Sequence, residues 1–319
     1  MIDKISRFEL FMRITLLIIF FIFFMFPIYW MVVTSLKNTV DIFAIPPKWF
    51  FKISLENYWH IMSDDSGFLK KILNSSISSI LNAIFTLLLA FPASYSMSRY
   101  KTGGINLLMW FLSIRMIPPI VGAIPLFIIF SKLGLVDTFI ALPILYIIIN
   151  LPFAIWMIKS FMDEIPKEID ESAYVEGCST TGVIIKIIIP LIRPGILATL
   201  VFCFIMAWNE FLIANIFTRK DAITAPVGVA RFITERQILW GYITAGATLA
   251  SILPIVLLIS FQKYLLGNKP ILRFIETLCR TVGTISESGA AILNLFLNLF
   301  LNIFKLLHRS NKLKIFMKT

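Results

Sequence analysis

The chain has 319 residues, of which 58% are hydrophobic and only 15% are charged, and its mean hydropathy is +0.88. In soluble domains about a quarter of all residues are charged, so this composition excludes a cytosolic fold and indicates a membrane protein. The formal net charge of +11 does not require a nucleic-acid partner, because basic residues collect in the cytoplasmic loops of membrane proteins.

Six segments are long and apolar enough to cross a membrane, since about 20 apolar residues span the hydrocarbon core as a helix. In chain order they cover residues 14–36, 72–98, 105–130, 138–158, 195–217 and 237–262. We therefore predict an all-α, polytopic membrane protein with both termini in the cytoplasm. The distribution of Lys and Arg favours this orientation only when the basic tail is counted.

The spans divide the chain into four predicted regions. Residues 1–13 form a cytoplasmic N-terminus, and residues 14–71 hold the first span and an extracytoplasmic loop. Residues 72–267 hold the remaining spans. Residues 268–319 form a basic tail in which Asn recurs every four residues from 294 to 302, on one helical face. We expect an interfacial amphipathic helix there rather than a seventh span, which would carry several basic residues across the membrane.

The long connection between the fourth and fifth spans has an internal pattern. Three apolar residues at helical spacing, Ile165, Ile169 and Ala173, alternate with charged residues and predict a short amphipathic helix opened by Pro166. Gly177 permits a turn that other residues resist. The apolar residues Val183, Ile184, Ile187 and Ile188 predict a second short helix, which we expect the following prolines to end before the next span.

This connection resembles the EAA loop of importer permeases of the ATP-binding-cassette (ABC) class. The loop pattern is Glu-Ala-Ala, three residues, Gly, nine residues and Ile-x-Leu-Pro. The matching residues here are Glu171-Ser172-Ala173, Gly177 and Ile187-Ile188-Ile189-Pro190. Both spacings hold, while Ser172 replaces an Ala and Ile189 replaces a Leu.

Five further motifs resemble the maltose-type carbohydrate permeases, and most closely their MalG-like subunit. They are Thr34-Ser35-Leu36-Lys37, Arg115-Met116-Ile117-Pro118, Leu133-Gly134-Leu135-Val136-Asp137-Thr138, Leu151-Pro152-Phe153-Ala154-Ile155-Trp156 and Trp208-Asn209-Glu210-Phe211. The resemblance covers about residues 10–267 and leaves out the tail.

The resemblance implies a permease subunit in a bacterial cell membrane that is not itself an enzyme. Its implied partners are a second homologous permease, a cytoplasmic ABC ATPase dimer that binds ATP and Mg, and an extracytoplasmic solute-binding protein. The loop 163–194 would couple the permease to the ATPase, with Glu171 in a charged contact, Ala173 allowing close approach and Gly177 shaping the turn. The solute would be a sugar or a related polyol.

Two charged residues lie inside predicted spans, where charges are costly and usually functional or paired. Arg115 and Glu210 are therefore candidates for the translocation path, and an Arg115–Glu210 ion pair is the structural alternative. Asn150, Trp208 and Asn209 could contact a hydroxylated ring or could pack helices together.

Two other classes of function compete with the importer. An ion-gradient-driven secondary transporter would need an intramembrane carboxylate, for which Glu210 is the candidate. A membrane enzyme is not favoured, because no phosphate-binding loop, zinc-protease motif or nucleophile elbow is present in the sequence. The scattered residues Cys178, Cys203, Cys279, His60 and His308 predict neither a disulfide framework nor a metal site, so no cofactor is expected in this chain.

Overall fold

The computed structural model describes residues 7–63, 67–235 and 237–266. Within these ranges the regular structure is helical, and Ile233 and Ile238 form an isolated antiparallel bridge. The helices are, in chain order, α1 (Arg7–Ser35), α2 (Thr39–Ile42), α3 (Glu56–Met62), α4 (Phe68–Arg99), α5 (Gly104–Met116), α6 (Pro119–Lys132), α7 (Ala141–Asp163), α8 (Lys167–Val175), α9 (Thr180–Val183), α10 (Ile189–Trp208), α11 (Leu212–Phe217), α12 (Ala225–Ala230) and α13 (Trp240–Leu266). The all-α prediction is confirmed for this part of the chain.

Five helical stretches in the described ranges are long and apolar enough to cross a membrane. They are Ile14–Ser35 of α1, α4, α7, the continuous stretch Thr180–Trp208 and Trp240–Phe261 of α13. Among them α7 is the most enclosed, whereas the apolar window within Ile14–Ser35 has no buried residue.

The predicted third span is a broken helix. The axes of α5 and α6 are bent by 85°, and the pair counts as a sixth crossing if it forms one span. The break falls at Ile117 and Pro118, because a proline disfavours helical backbone in the residue before it. Pro119 then opens α6 at a position where no N–H is needed. The described residues therefore hold five or six helices able to span a membrane, which agrees with the prediction of about six.

The boundaries predicted for the fifth span were wrong. We expected prolines to separate a short helix from a span over residues 195–217, but the helix runs through both prolines and ends at Trp208. A π-helical turn, Ile184–Ile188, precedes Pro190, and the N–H of Ile189 reaches back to the carbonyl of Ile184. The π-helical turn thus lies directly before Pro190, within one continuous helical stretch.

The chain divides into two compact units. Unit 1 comprises the described residues within 1–81, 118–146 and 205–256, and unit 2 those within 82–117, 147–204 and 257–266. Unit 1 has an apolar core of Ile61, Phe68, Ala225 and Ala245. The predicted tail, 268–319, lies outside the described residues, as do the first six residues of the predicted cytoplasmic N-terminus.

One face of α4 carries buried polar side chains at every fourth residue from 74 to 98, except at Ala90. These residues are Asn74, Ser78, Asn82, Thr86, Ser94 and Ser98, with Ser75 and Ser79 beside them. A buried polar group must be hydrogen-bonded to be tolerated, particularly in lipid. This spacing was visible in the sequence, yet we did not predict a polar face on this span.

In unit 1 the polar face of α4 binds the main chain of the segment before α12. The amide of Asn74 donates to the carbonyls of Asp221 and Ile223, at 2.8 and 3.0 Å. The hydroxyl of Ser75 accepts the N–H of Ala225 at 2.8 Å. The first residue of α12 is thereby fixed against α4.

In unit 2 the same face binds main-chain carbonyls of two other spans. Asn82 donates to the carbonyl of Cys203 at 3.0 Å, and Ser94 donates to that of Ile155 at 2.9 Å. At the end of α4, Ser98 donates to the carboxylate of Asp163 at 2.6 Å. The two bonds to carbonyls set the position of α4 against α10 and α7 whatever side chains those helices carry.

Asp137, in the loop after α6, holds another loop of unit 1. Its carboxylate accepts the four consecutive N–H groups of residues 219–222 at distances of 2.9 to 3.2 Å. Its own N–H donates to the carbonyl of Phe217 at 2.9 Å. Burial opposes the charged form, but the four hydrogen bonds outweigh it and lower the pKa of Asp137 to about 2.

We predict that Asp137→Asn destabilises the protein by about 1–3 kcal/mol, because one acceptor oxygen and the charge are lost. Asn tolerates the positive φ of 61° at this position, so the variant tests the carboxylate rather than the backbone. The lowered folded pKa means that the stabilisation is present above the ordinary value of 3.8 and lost as pH falls toward about 2. Melting of the detergent-solubilised protein should show a wild-type advantage at neutral pH that shrinks across this window; an advantage independent of pH would contradict the prediction.

Candidate functional site

The connection between α7 and α10 begins with α8, whose two faces have different environments. Pro166, with φ of −56°, precedes the helix and sets its first turn. Asp170 and Ala173 are buried, with 5% and 4% exposure, whereas Val175 is 89% exposed. The predicted short amphipathic helix is therefore present.

Gly177 ends α8 in the way that its position in the motif requires. Its φ is +85°, in the left-handed region that favours glycine. The N–H of Gly177 donates to the carbonyl of Tyr174, and the N–H of Cys178 donates to that of Ala173, each at 3.0 Å. This is a Schellman motif, which satisfies the last carbonyls of a helix.

The continuous helical stretch Thr180–Trp208, which begins with α9, starts shortly after this turn. The hydroxyl of Ser179 accepts the N–H of Gly182 at 3.2 Å and caps α9. The motif residues predicted from the sequence divide by exposure into Glu171, Ser172, Gly177 and Pro190, which are exposed, Ile187, which is half-buried, and Ala173, which is buried. The loop thus has a buried face built on unit 2 and an outward face.

Arg99, the last residue of α4, holds the buried face of α8. Its Nε lies 2.6 Å from Oδ2 of Asp170, and its Nη2 donates to Oδ1 at 3.3 Å. The Nε contact is electrostatic rather than a linear hydrogen bond. Sequence analysis missed this pair, because nothing local to either residue indicates a partner 71 positions away.

Trp208 and Asn209 lie at the end of α10, in unit 1, and line a groove of about 460 Å³. The other lining residues are Pro226, Val229, Ala247, Ala250, Ser251, Pro254 and Ile255. Trp208 is only 3% exposed, whereas Asn209 is exposed. The groove is mostly apolar, with an indole, an amide and a hydroxyl among its side chains.

Glu210 follows the end of α10 rather than lying within a span, contrary to the prediction. Its carboxylate accepts the N–H groups of Ile213 and Ala214, at 3.0 and 3.1 Å. These are N–H groups in the first turn of α11, where a helix has no partners of its own. Glu210 therefore has a local structural role at this helix end.

The two remaining candidates lie in unit 2. The guanidinium of Arg115, at the end of α5, lies 4.9 Å from the ring centre of Phe153, a cation–π contact. Asn150 is buried, with 3% exposure, which favours helix packing over solute contact. The Arg115–Glu210 ion pair stays a prediction. No group of three or more His, Cys, Asp or Glu in the described residues is placed to hold a metal ion.

Apolar helices long enough to cross a membrane, joined by an exposed loop with a glycine turn, define the class as a polytopic membrane protein. Residues 90–267 match the family described as binding-protein-dependent transport system inner membrane component. This chain therefore belongs to that family, which comprises permease subunits of ABC transporters.

Individual relatives agree with this assignment. The probable ABC transporter permease protein y4oR of Sinorhizobium fredii is 36% identical over 242 residues, which are 76% of this chain and 87% of that protein. The trehalose/maltose transport system permease protein MalG of Thermococcus litoralis is 34% identical over 248 residues, 76% of this chain and 89% of that protein.

A solved structure is similar in fold. It is a crystal structure of a bacterial ABC transporter involved in the import of the acidic polysaccharide alginate, with a TM-score of 0.65 and 20% identity. The match covers 82% of this chain and 99% of that chain. These comparisons confirm the permease assignment and do not support the alternative of an ion-gradient-driven transporter.

We predict that Asn150→Ala and Asn209→Ala affect stability differently. Removal of the buried Asn150 amide should lower the free energy of unfolding by about 1–3 kcal/mol, because the substitution leaves a cavity in the interior and removes a hydrogen-bonding group from it. Removal of the exposed Asn209 amide should change stability by less than about 0.5 kcal/mol. Parallel thermal melts of the two purified variants measure this; equal losses would show that Asn209 also packs the fold together.

Proposed function

We propose that this protein is one of two permease subunits of an ABC importer for a sugar or a related polyol, coupled to a cytoplasmic ATPase dimer through the loop 163–194. The observation that carries the proposal is the geometry of α8. The buried face of this helix is fixed to α4 by Arg99 and Asp170. Its opposite face is exposed, and so is the turn at Gly177 that ends the helix.

The outer face of α8 has the composition of a docking surface. Val175 is 89% exposed and Tyr174 is 38% exposed, next to the exposed carboxylate of Glu171. Exposed apolar side chains beside a charge are typical of protein–protein contact sites. A Cβ added at Gly177 would meet nothing within 4 Å, so the turn has room for a partner to approach closely.

This proposal implies a topology and a set of partners. With α8 in the cytoplasm, alternation of the spans places the N-terminus on the same side and the loops of residues 36–67, 133–140 and 209–239 on the opposite face of a bacterial cell membrane. A solute-binding protein would deliver the solute to that face, and the second permease would complete the path. ATP and Mg would be bound and used by the ATPase.

The solute class is supported by the groove and by the relatives. Relatives carry the names trehalose/maltose permease and, in Streptomyces coelicolor, diacetylchitobiose uptake permease. The groove of about 460 Å³ that Trp208 and Asn209 line falls within the range of ligand sites, about 300–1,000 Å³. The exposed amide of Asn209 suits the hydroxyl groups of a sugar ring.

We predict that Gly177→Asp leaves the permease in the membrane but removes the ATPase from it. A side chain at φ of +85° strains the turn and enters the space that the ATPase would occupy. Pull-down of the solubilised protein, with immunoblotting for the ATPase and the second permease, measures this. Glu171→Ala should weaken recovery of the ATPase in the same way.

Gly134 offers a matched control for the Gly177 variant. It also has a positive φ, of +67°, and a Cβ added there would likewise meet nothing within 4 Å. It lies in the loop before α7, which the proposed topology places on the opposite side of the membrane from α8. Gly134→Asp should introduce similar strain and leave the ATPase bound. Recovery of the ATPase with Gly177→Asp would refute the coupling role of the loop.

We predict that Asn209→Ala reduces solute uptake about fivefold, since loss of one hydrogen bond of about 1 kcal/mol changes an equilibrium by that factor. Uptake of radiolabelled trehalose and maltose into cells carrying the complete importer measures this. Ser251→Ala, in the same groove, is the comparison, because its hydroxyl is already used by the carbonyl of Ala247. Unchanged uptake with Asn209→Ala would assign Asn209 to packing.

A further inference from the structure

We propose that Arg99 is the positioning residue that makes α8 and the end of α4 move as one body, so that a displacement of α8 by the ATPase reaches the membrane span directly. The inference rests on the proposed coupling function of the loop and adds the residue that carries the movement. Without the Arg99 side chain, α8 would be joined to the end of α4 through its flanking chain and through single contacts of Lys167 and Tyr174.

The ion pair between Arg99 and Asp170 is almost entirely removed from solvent. Their side chains are 6% and 7% exposed. Breaking a buried pair leaves an uncompensated charge, so the two groups stay together when either helix moves. By contrast, Lys70 and Asp221 form a pair whose side chains are 56% and 63% exposed, and such pairs separate readily.

The same guanidinium also binds the main chain between α7 and α8. Its Nη1 donates to the carbonyls of Met162 and Ile165, at 3.2 and 3.0 Å. Arg99 therefore joins the end of α4, the end of α7 and the buried face of α8. Lysine could pair with Asp170 but lacks the planar fork of donors that reaches all three partners at once.

Three neighbouring contacts tie the same elements together. Lys167 donates from Nζ to the carbonyl of Arg99 at 2.9 Å, and Ser98 bonds to Asp163 at 2.6 Å. The hydroxyls of Tyr95 and Tyr174 are 3.3 Å apart. Each contact joins the last turns of α4 to α8 or to the chain that leads into it.

The inference is tested by the distance between spin labels in the assembled importer, with its second permease and ATPase. Labels are placed at Glu168 in the first turn of α8 and at Leu88 on α4, which are both exposed, in a background without native cysteines. Electron paramagnetic resonance then gives the distance distribution with and without ATP. This readout needs no identified solute.

In the otherwise unsubstituted importer we expect ATP to leave this distance unchanged. In Arg99→Ala and Asp170→Asn we expect ATP to shift or broaden the distribution while ATPase recovery stays within about twofold. Arg99→Lys should give a smaller ATP-dependent change in this distance than Arg99→Ala does. If the Ala variant fails to fold, the Lys variant alone tests the role of Arg99. Lys70→Ala, which removes the exposed pair, is the matched control and should behave as the unsubstituted protein.

An ATP-independent distance in Arg99→Ala and Arg99→Lys would overturn the inference. Loss of the ATPase from both variants would also overturn it, because Arg99 would then shape the docking surface rather than transmit movement. Failure of the underlying function is separately visible: in that case Gly177→Asp retains the ATPase, whatever the Arg99 variants do.

Discussion

The structure depends on one constraint, which is that polar groups removed from water must find hydrogen-bond partners within the protein. α4 meets this constraint with a face of short polar side chains directed at main-chain atoms. Asn74 and Ser75 bind the segment that leads into α12, while Asn82 and Ser94 bind carbonyls of α10 and α7. Because the partners are backbone groups, these bonds fix the axial position of α4 without requiring a particular side chain on the neighbouring helices.

The same strategy continues at the end of α4 that faces α8. There the partners are Asp170 and two main-chain carbonyls, and the donor is the guanidinium of Arg99. Separating a buried pair costs about 3–5 kcal/mol, whereas an exposed pair contributes about 0–1 kcal/mol. α8 is therefore more firmly attached to α4 than a surface helix between two flexible linkers would be, and its outer face remains available for a partner.

Much of the fold could be predicted from hydropathy, because about 20 apolar residues in lipid have few alternatives to a helix. Gly177 and α8 were predictable from a local pattern and a family motif. The course of the chain through Pro190 was not, since a π-helical turn depends on packing rather than composition. The Arg99–Asp170 pair was hidden for a different reason: it joins distant segments, and periodicity reports only neighbours in sequence.

The position of Glu210 bears on whether its carboxylate could bind a proton or a cation during transport. Its carboxylate already accepts two N–H groups of α11, so protonation or cation binding would compete with a helix end that it stabilises. The break between α10 and α11 instead supplies irregular backbone next to the groove that Trp208 and Asn209 line. At membrane depth such backbone is tolerated where it is buried in protein or lines a cavity. Glu210 therefore stabilises the first turn of α11 directly after this break, and its carboxylate is already engaged by the main chain.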